Sequence, residues 1–287
     1  MIRVGTHGIA TKAVDGRVRL SVAAGEPWGQ VVTAAIADGL SGVECLAGIP
    51  GTAGGTPIQN VGAYGQQVSD TIVTVRAYDR SARRVIEIER DRCGFGYRAS
   101  IFRGSGRFVV LGVTFELERS QRGQPLRSGD LARLLRVEPG ARPPLSDIAA
   151  AVLELRRQKG MVLDPADPDS VSAGSFFVNP IMCTERFAEL ERRAAERFWQ
   201  PGGPPAWPQA DGGVKTSAAW LIERAGFRRG FGAGRAGVST KHTLALVNRG
   251  GATADDLVTL GRQIRRAVER ASGVMLAPEP TFVGVRP

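Results

Sequence analysis

A twenty-residue stretch rich in glycine constrains this chain more than any other part of its sequence. Leu46 to Gly65 reads Leu-Ala-Gly-Ile-Pro-Gly-Thr-Ala-Gly-Gly-Thr-Pro-Ile-Gln-Asn-Val-Gly-Ala-Tyr-Gly. Glycines permit positive φ and close backbone approach, and the prolines stiffen the path, so a helix or a central strand is disfavoured. A flexible linker would carry serine and charge, whereas this stretch holds Ile49, Ile58, Val61 and Tyr64. The pattern favours a structured loop whose backbone N–H groups face a ligand, with a plain linker as the alternative.

Length and composition bound the class of protein. The 287 residues suggest about two domains, and 43% hydrophobic with 23% charged residues is typical of a globular protein. No apolar run reaches the roughly 18 residues of a transmembrane helix, and the N-terminus has no apolar signal-peptide core. The three cysteines are far apart and fit neither a disulfide framework nor a zinc site. We therefore expect a cytoplasmic protein without membrane association and without a metal.

The formal net charge of +10 raises the question of nucleic-acid binding. Basic residues occur in pairs such as Arg83–Arg84 and Arg265–Arg266, without the interleaved aromatic residues that a nucleic-acid site uses. An arginine-rich coding bias or a small anionic substrate explains the charge as well. No nucleic-acid partner is expected.

Residue patterns predict α+β structure in the first part of the chain. A helix begins at Pro27, which suits the first helical position, and stops at Gly39. Runs rich in β-branched residues predict strands at 17–22, 71–78, 84–88 and 107–118.

The rest of the chain is also predicted to be α+β. Residues 120–144 contain several prolines and turn residues, which indicates a connection between domains. Helices are predicted at 146–158, 184–198, 217–225 and from Thr253, with strands at 243–248 and 274–276 and a loop at 201–208. The predicted division is a first domain at 1–118, a connection at 119–145 and a second domain at 146–287.

Several familiar motifs are absent or out of context. Gly94–Ala99 and Gly232–Gly237 match the dinucleotide fingerprint, but neither clearly follows a strand and opens a helix. The only histidines are His7 and His242, so a histidine-rich metal site is excluded, and His242 is interpreted as a packed or solvated residue.

Three short segments carry side chains suited to chemistry. Tyr97 and Arg98 stand together in Cys-Gly-Phe-Gly-Tyr-Arg-Ala-Ser-Ile-Phe, Ser175 follows the flexible Gly174, and Glu279 lies between two prolines. Each of these alone is equally consistent with an ordinary turn or surface position.

Taken together with the glycine stretch, these segments resemble the UDP-N-acetylmuramate dehydrogenases, also called UDP-N-acetylenolpyruvoylglucosamine reductases. The resemblance covers nearly the whole chain in the family's order. It rests on 47–65, 96–102, Ala-Gly-Ser-Phe-Phe-Val-Asn-Pro at 173–180, 217–226, Ser-Thr-Lys-His-Thr-Leu-Ala-Leu-Val-Asn at 239–248 and Pro278-Glu279.

The resemblance implies a fold and a reaction. The fold would be α+β, with a vanillyl-alcohol-oxidase-type FAD-binding domain followed by a substrate-binding domain. NADPH would reduce FAD, and the flavin would pass hydride to the enolpyruvyl double bond of UDP-N-acetylglucosamine enolpyruvate, in peptidoglycan precursor synthesis. A monomer is expected.

The resemblance also implies roles for single residues. Hydride addition leaves negative charge beside a carboxylate; Arg98 matches the cation that neutralises it, Ser175 the proton donor, and Glu279 a residue that stabilises the intermediate or assists proton delivery. Tyr97, Asn179 and Lys215 are candidates for substrate contacts. The expected FAD contacts are Gly51, Thr52, Gly54, Gly55, Gln59, Asn60, Gly62, Ala63 and Tyr64.

The start of the chain departs from the family. Members normally have several dozen earlier residues, which include a Gly-Gly-Gly-Ser-Asn loop around the FAD pyrophosphate. From the sequence we therefore expect weak or absent FAD binding by this 287-residue chain. Two alternatives stay open: another flavin oxidoreductase of the superfamily, and a catalytically impaired or non-catalytic homologue.

Overall fold

The structure, a computed structural model, describes residues 4–198 and 203–286. The chain divides into two compact units, Met1–Arg157 and Gln158–Pro287, and each is described separately. Within the described residues, none of the helices is long and apolar enough to cross a membrane.

The first unit is built on an antiparallel sheet. Its strand order is β1-β2-β8-β6-β7, with β3 also paired to β8, which makes six strands in the part of the unit that is described. The strands are β1 (Ile9–Val14), β2 (Arg17–Ala23), β3 (Leu40–Ser41), β6 (Ile72–Asp79), β7 (Arg84–Glu89) and β8 (Phe108–Arg119), and a small hairpin pairs β4 (Gly62–Ala63) with β5 (Gln66–Gln67). The strands predicted at 17–22, 71–78, 84–88 and 107–118 are thus present, whereas β1 was not predicted.

One face of this sheet forms the core of the first unit. Alternate residues point to the same face of a strand, so Leu20 and its partner Phe115 are both buried there. Helix α1 (Trp28–Ala37) packs on this core, with the Trp28 and Phe115 rings 5.6 Å apart. The indole N–H of Trp28 donates to the carbonyl of Leu46 at 3.1 Å, which ties the start of the glycine stretch to the core.

Two further helices lie in and after the predicted connection. Helix α2 (Gly129–Leu135) begins where the Ser128 hydroxyl accepts from the N–H of Leu131, a side chain that is fully buried. Helix α3 (Leu145–Gln158) contributes Ile148 and Val152 to the first core. The compact units therefore divide after Arg157, whereas the sequence division placed helix α3 with the second domain. Packing of its apolar face, which a local pattern does not specify, makes the difference.

The described part of the second unit combines three α-helices with two small sheets. In the described residues, β9 (Ser172–Ser175), β13 (Ala236–Val238) and β14 (Ala245–Asn248) form one sheet, and β10 (Ile181–Met182), β11 (Trp207–Pro208) and β12 (Val214–Lys215) form the other. The helices are α4 (Thr184–Phe198), α5 (Ala218–Arg224) and α6 (Ala254–Ser272).

Helix α6 illustrates how local signals fix an element here. The Thr253 hydroxyl accepts from the N–H of Asp256, whose carboxylate accepts from the N–H of Thr253, so both ends of the capping box are made. Ile264 and Val268 are fully buried in the second core, and Gly273 ends the helix with φ 74°.

Two predictions in this unit are wrong. Residues 274–276 form no strand; the chain pairs slightly later, where Pro278 bridges Phe177. Of the loop predicted at 201–208, residues 201–202 lie outside the described residues and Trp207–Pro208 is a short strand paired with β12. Both errors have one cause: pairing with a distant strand decides these short segments, and their own composition does not.

Candidate functional site

The glycine loop, Leu46–Gly65, uses many of its backbone donors within the protein. The N–H groups of Ala53 and Gly54 donate to the carbonyls of Glu26 and Ala24 at 2.8 and 2.9 Å, and those of Gly55 and Thr56 donate within the loop. A Cβ at Gly54 would lie 2.5 Å from the Cβ of Ala24. The glycine at position 54 is therefore needed for close packing, and these donors are not the bare N–H groups that the sequence suggested.

The loop also presents an open surface with few side chains. Gly51, Thr52 and Gly55 are exposed, and a Cβ added at Gly51, where φ is 111°, would meet no described atom within 4 Å. At Gly55 it would approach only the Thr52 hydroxyl, at 3.9 Å. A flat group can pack closely against such a backbone surface.

Asn60 is held inside the protein. It is 1% exposed and has φ 47°, a conformation that asparagine tolerates better than most residues. Its amide donates to Gln67 and to the Gly96 carbonyl, each at 3.1 Å, and accepts from the N–H of Ser69 at 3.1 Å. Both N–H bonds of the amide are used, so the side chain has no donor to offer the FAD contact that the sequence assigned to it.

The remaining cofactor candidates lie around the β4–β5 hairpin. Gln59, Gly62, Ala63 and Tyr64 are half-buried. Tyr64 stands at the tip with φ 51°, and burial raises the pKa of its phenol above the ordinary value.

A cavity of about 250 Å³ lies beside this hairpin tip. Its walls include Tyr64, Gln66 and Cys45. The N–H of Cys45 donates to the Gln66 side-chain oxygen at 2.8 Å. The Gln66 amide nitrogen is buried and has no hydrogen-bond partner among the described residues. Burial raises the pKa of the Cys45 thiol to about 12, so it is an unreactive part of the wall.

The arginine loop, Cys93–Phe102, meets the glycine loop. Arg98 is half-buried with φ 53°, and its Nη2 donates to the carbonyl of Gly62 at 2.9 Å. Its guanidinium lies 5.4 Å from the centre of the Tyr97 ring, which is 37% exposed. Ser100 donates to the Ile58 carbonyl at 2.6 Å, a contact to which the sequence reasoning gave no role. The first unit thus brings Arg98 together with the glycine loop.

In the second unit, backbone pairing brings the Ser175 and Glu279 segments together. Ser175 ends strand β9 opposite Ala245. Beyond it, the N–H of Val178 donates to Ala277 at 3.1 Å, and the N–H of Glu279 donates to the carbonyl of Phe176 at 2.9 Å. Both candidate side chains are half-buried. Glu279 therefore lies next to the residue that follows Ser175.

The two substrate candidates of the second unit occupy different kinds of position. The Asn179 side chain accepts from the N–H of Ala218 at 2.9 Å, so its oxygen caps helix α5. Lys215 is half-buried on β12, between Ile181 and Trp207 of the neighbouring strands.

His242 lies in a turn of the second unit that is held by several hydrogen bonds. The backbone N–H groups of Lys241 and His242 both donate to the Ser239 hydroxyl, and the backbone N–H of Thr240 donates to the Asp169 carboxylate. Burial, with Lys159 and Arg229 nearby, lowers the pKa of His242 to about 4, so the imidazole is neutral at pH 7. This agrees with its interpretation as a packed residue.

Comparison with known proteins assigns both units. The family profile described as an FAD binding domain matches residues 7–86, and the profile for the C-terminal domain of UDP-N-acetylenolpyruvoylglucosamine reductase matches 165–283. The reductase of that name from Thermobifida fusca is 55% identical over 275 residues, which are 96% of this chain and 77% of the relative. This chain belongs to the UDP-N-acetylenolpyruvoylglucosamine reductase family.

Other reductases support the same assignment. The Streptomyces coelicolor reductase is 53% identical, covering 96% of this chain and 73% of the relative, and the Mycobacterium tuberculosis reductase is 46% identical, covering 99% and 77%. A crystal structure of the reductase from Thermus caldophilus shares the fold, with a TM-score of 0.57 at 24% identity, over 90% of this chain and 70% of that one. The α+β fold with an FAD-binding domain, inferred from the sequence, is confirmed.

The first unit has features that fit the cofactor of this reductase family. The backbone surface at Gly51 and Gly55 leaves open space for a flat or extended group. The buried Gln66 amide nitrogen has no acceptor among the described residues. The residues that would hold FAD are those predicted contacts that are exposed or half-buried: Gly51, Thr52, Gly55, Gln59, Gly62, Ala63 and Tyr64. Gly54 and Asn60 are buried.

Proposed function

We propose that this chain reduces the enolpyruvyl group of UDP-N-acetylglucosamine enolpyruvate to the lactyl ether of UDP-N-acetylmuramate, with NADPH as reductant and FAD as cofactor. The observation that carries the proposal is the 46–55% identity with reductases of this name over nearly the whole chain. FAD, when bound, accepts hydride from NADPH and supplies it to the substrate double bond. The product is a precursor for peptidoglycan.

Arg98 is proposed to stabilise the negative charge that grows on the substrate. Hydride addition to the β-carbon leaves the α-carbon and its carboxylate sharing a second negative charge. A guanidinium held in place before the reaction stabilises such charge without reorganisation at the moment of transfer. The bond from Arg98 to the Gly62 carbonyl supports this role because it holds the guanidinium against the glycine loop.

Ser175 is proposed to donate the proton that completes the reaction at the α-carbon. A serine hydroxyl is a weak acid, so it depends on a pre-organised position and on the strong basicity of the carbanion. Its place at the end of β9 supplies the position, and Glu279, brought beside Phe176 by backbone pairing, is proposed to assist proton delivery or stabilise the intermediate. Tyr97, Asn179 and Lys215 are proposed substrate contacts; the oxygen of Asn179 accepts from the N–H of Ala218.

The proposal extends to the setting in which the enzyme works. We propose a monomer in the cytoplasm that acts on a diffusible nucleotide sugar, with no nucleic-acid or membrane partner. A non-catalytic homologue is not favoured, since the chain is 46–55% identical with reductases over nearly its whole length.

Separate measurement of the two half-reactions tests the Ser175 role. In the FAD-loaded protein, Ser175→Ala should leave flavin reduction by NADPH unchanged and slow flavin reoxidation by the enolpyruvyl substrate on the order of 10²–10⁴-fold. Stopped-flow absorbance follows both steps. Ser172→Ala is the matched control, because Ser172 lies on the same strand and its hydroxyl only accepts from the N–H of Gly174. Unchanged reoxidation in Ser175→Ala would remove the proton-donor role, and a wild-type chain without any substrate-dependent NADPH loss would contradict the proposed function.

A further inference from the structure

The hydrogen bonds that join the arginine loop to the glycine loop include three from side chains to backbone carbonyls. The Asn60 amide donates to the carbonyl of Gly96 at 3.1 Å, Ser100 donates to that of Ile58 at 2.6 Å, and Arg98 donates to that of Gly62 at 2.9 Å. Each bond runs between a side chain and a backbone carbonyl. The geometry around Arg98 therefore depends on which side chains the two loops carry.

Of these side chains, the Asn60 amide is the one whose hydrogen bonds matter most here. It is buried, and its amide makes three bonds, to Gly96, Gln67 and Ser69. The Gln67 amide continues the chain of bonds to Asp70 at 3.2 Å. Aspartate could keep the Ser69 bond but has no N–H for the other two, and glycine could adopt φ 47° but has no side-chain polar atom. Asparagine alone meets both demands.

The bond from Asn60 reaches Arg98 through a tight turn. The N–H of Gly96 donates to the Ala99 carbonyl at 3.1 Å, and the N–H of Ala99 donates back to the Gly96 carbonyl at 3.2 Å. Tyr97 and Arg98 are the two residues enclosed by these bonds. Asn60 therefore donates to the very carbonyl that closes the turn, two residues from Arg98. If that carbonyl moves, the turn and the guanidinium move with it.

We infer that Asn60 is a positioning residue that holds Arg98 in its working orientation through the Gly96 carbonyl. The inference rests on the proposed function, in which Arg98 stabilises the charge on the substrate. It assigns the Asn60 side chain a structural role, at a position where the sequence predicted an FAD contact. Displacement of a reacting group by about 1 Å can cost 10²-fold in rate, so the effect on turnover should be large for a residue outside the reaction.

The first test replaces the two N–H bonds of Asn60 by a carboxyl oxygen. Asn60→Asp faces the carbonyl oxygens of Gly96 and Gln67 with an acceptor, so kcat should fall on the order of 10- to 100-fold with a smaller change in KM for NADPH. Amide exchange at Ala99, measured by NMR, should accelerate at least about tenfold. Asn248→Asp in the second unit is the matched control: the Asn248 amide accepts from Gly250 and Ala252 and donates to the Ala252 carbonyl, so the variant loses an N–H bond within its own loop.

A double-mutant cycle separates positioning from general stability. If Asn60 acts through Arg98, Asn60→Asp should lower kcat in the wild type but have little further effect in an Arg98→Lys background. Equal losses in both backgrounds would overturn the inference, and so would unchanged exchange at Ala99. Asn60→Gly, which tolerates φ 47° and removes the amide, repeats the test if Asn60→Asp does not fold. Should the wild-type chain lack reductase activity, the proposed function fails, and Ala99 exchange still decides whether Asn60 holds the turn.

Discussion

The two units place their candidate residues by different means. In the first unit, Asn60 and Arg98 lie on loops with positive φ, and side-chain bonds to carbonyls hold those loops together. In the second unit, backbone bonds align the Ser175 and Glu279 segments, as in the pairs Val178–Ala277 and Glu279–Phe176. A substitution in the first unit can therefore displace its neighbours, whereas one at Ser175 should change the chemistry and leave the backbone in place.

Of the substitutions that test this comparison, Arg98→Lys should have the largest effect on activity. Lysine keeps the charge but lacks the planar guanidinium, which donates to Gly62 and, in the proposed function, stabilises the charge on the substrate, so kcat/KM should fall on the order of 10²- to 10³-fold. Steady-state NADPH oxidation measures it. Arg80→Lys is the control, because the Arg80 Nη1 likewise donates to a backbone carbonyl, that of Gly106, at 2.7 Å. Similar activity in both variants would show that positive charge alone suffices at position 98.

Gly54→Ala tests whether the glycine loop needs its close packing. The added Cβ would lie 2.5 Å from the Cβ of Ala24 and 3.0 Å from its backbone, so the free energy of unfolding of the first unit should fall by about 1–3 kcal/mol. Urea denaturation followed by fluorescence measures this change.

Gly29→Ala provides the opposite expectation in the same unit. Gly29 is exposed in α1, and an added Cβ meets no described atom within 4 Å, so alanine should stabilise by up to about 1 kcal/mol. Equal effects of the two alanines would refute the role given to Gly54.

The smallest expected effect concerns Asp79, whose contribution to the stability of the first unit should depend on pH. Arg107 binds its carboxylate with two nitrogens, and with the N–H groups of Ser81 and Ala82 this lowers the pKa of Asp79 to about 2. The unfolded pKa is about 3.9, so the stabilisation is complete above that pH and is lost as the pH falls toward 2.

The corresponding experiment compares acid unfolding of variants. Asp79→Asn should be less stable than wild type at pH 6, and the difference should shrink between about pH 4 and 2. Asp91→Asn, at an exposed position, is the control and should unfold in acid over the same pH range as the wild type. A constant difference over this range would mean that the Arg107 pair does not contribute through charge.

Strong local patterns made much of the fold predictable. Local sequence was sufficient to predict several elements: the strands with β-branched runs at 71–78 and 107–118, helix α6 with its capping box at Thr253, and helix α1 with its apolar face. The short elements were not predictable in this way. Helix α2 has seven residues inside a proline-rich segment, and Leu131 is buried only because the rest of the first unit covers it.

The sequence by itself determined the family, the α+β class and the identities of Arg98, Ser175 and Glu279 as candidates, because motif order and side-chain chemistry are written in the chain. Tertiary structure alone decided how those residues are held. It directed the amide of Asn60 inward to Gly96, occupied the N–H groups of Ala53 and Gly54, and paired Phe177 with Pro278. The physical reason is that each of these contacts joins segments distant along the chain, and a hydrogen-bond donor's partner is fixed only when folding brings an acceptor to it.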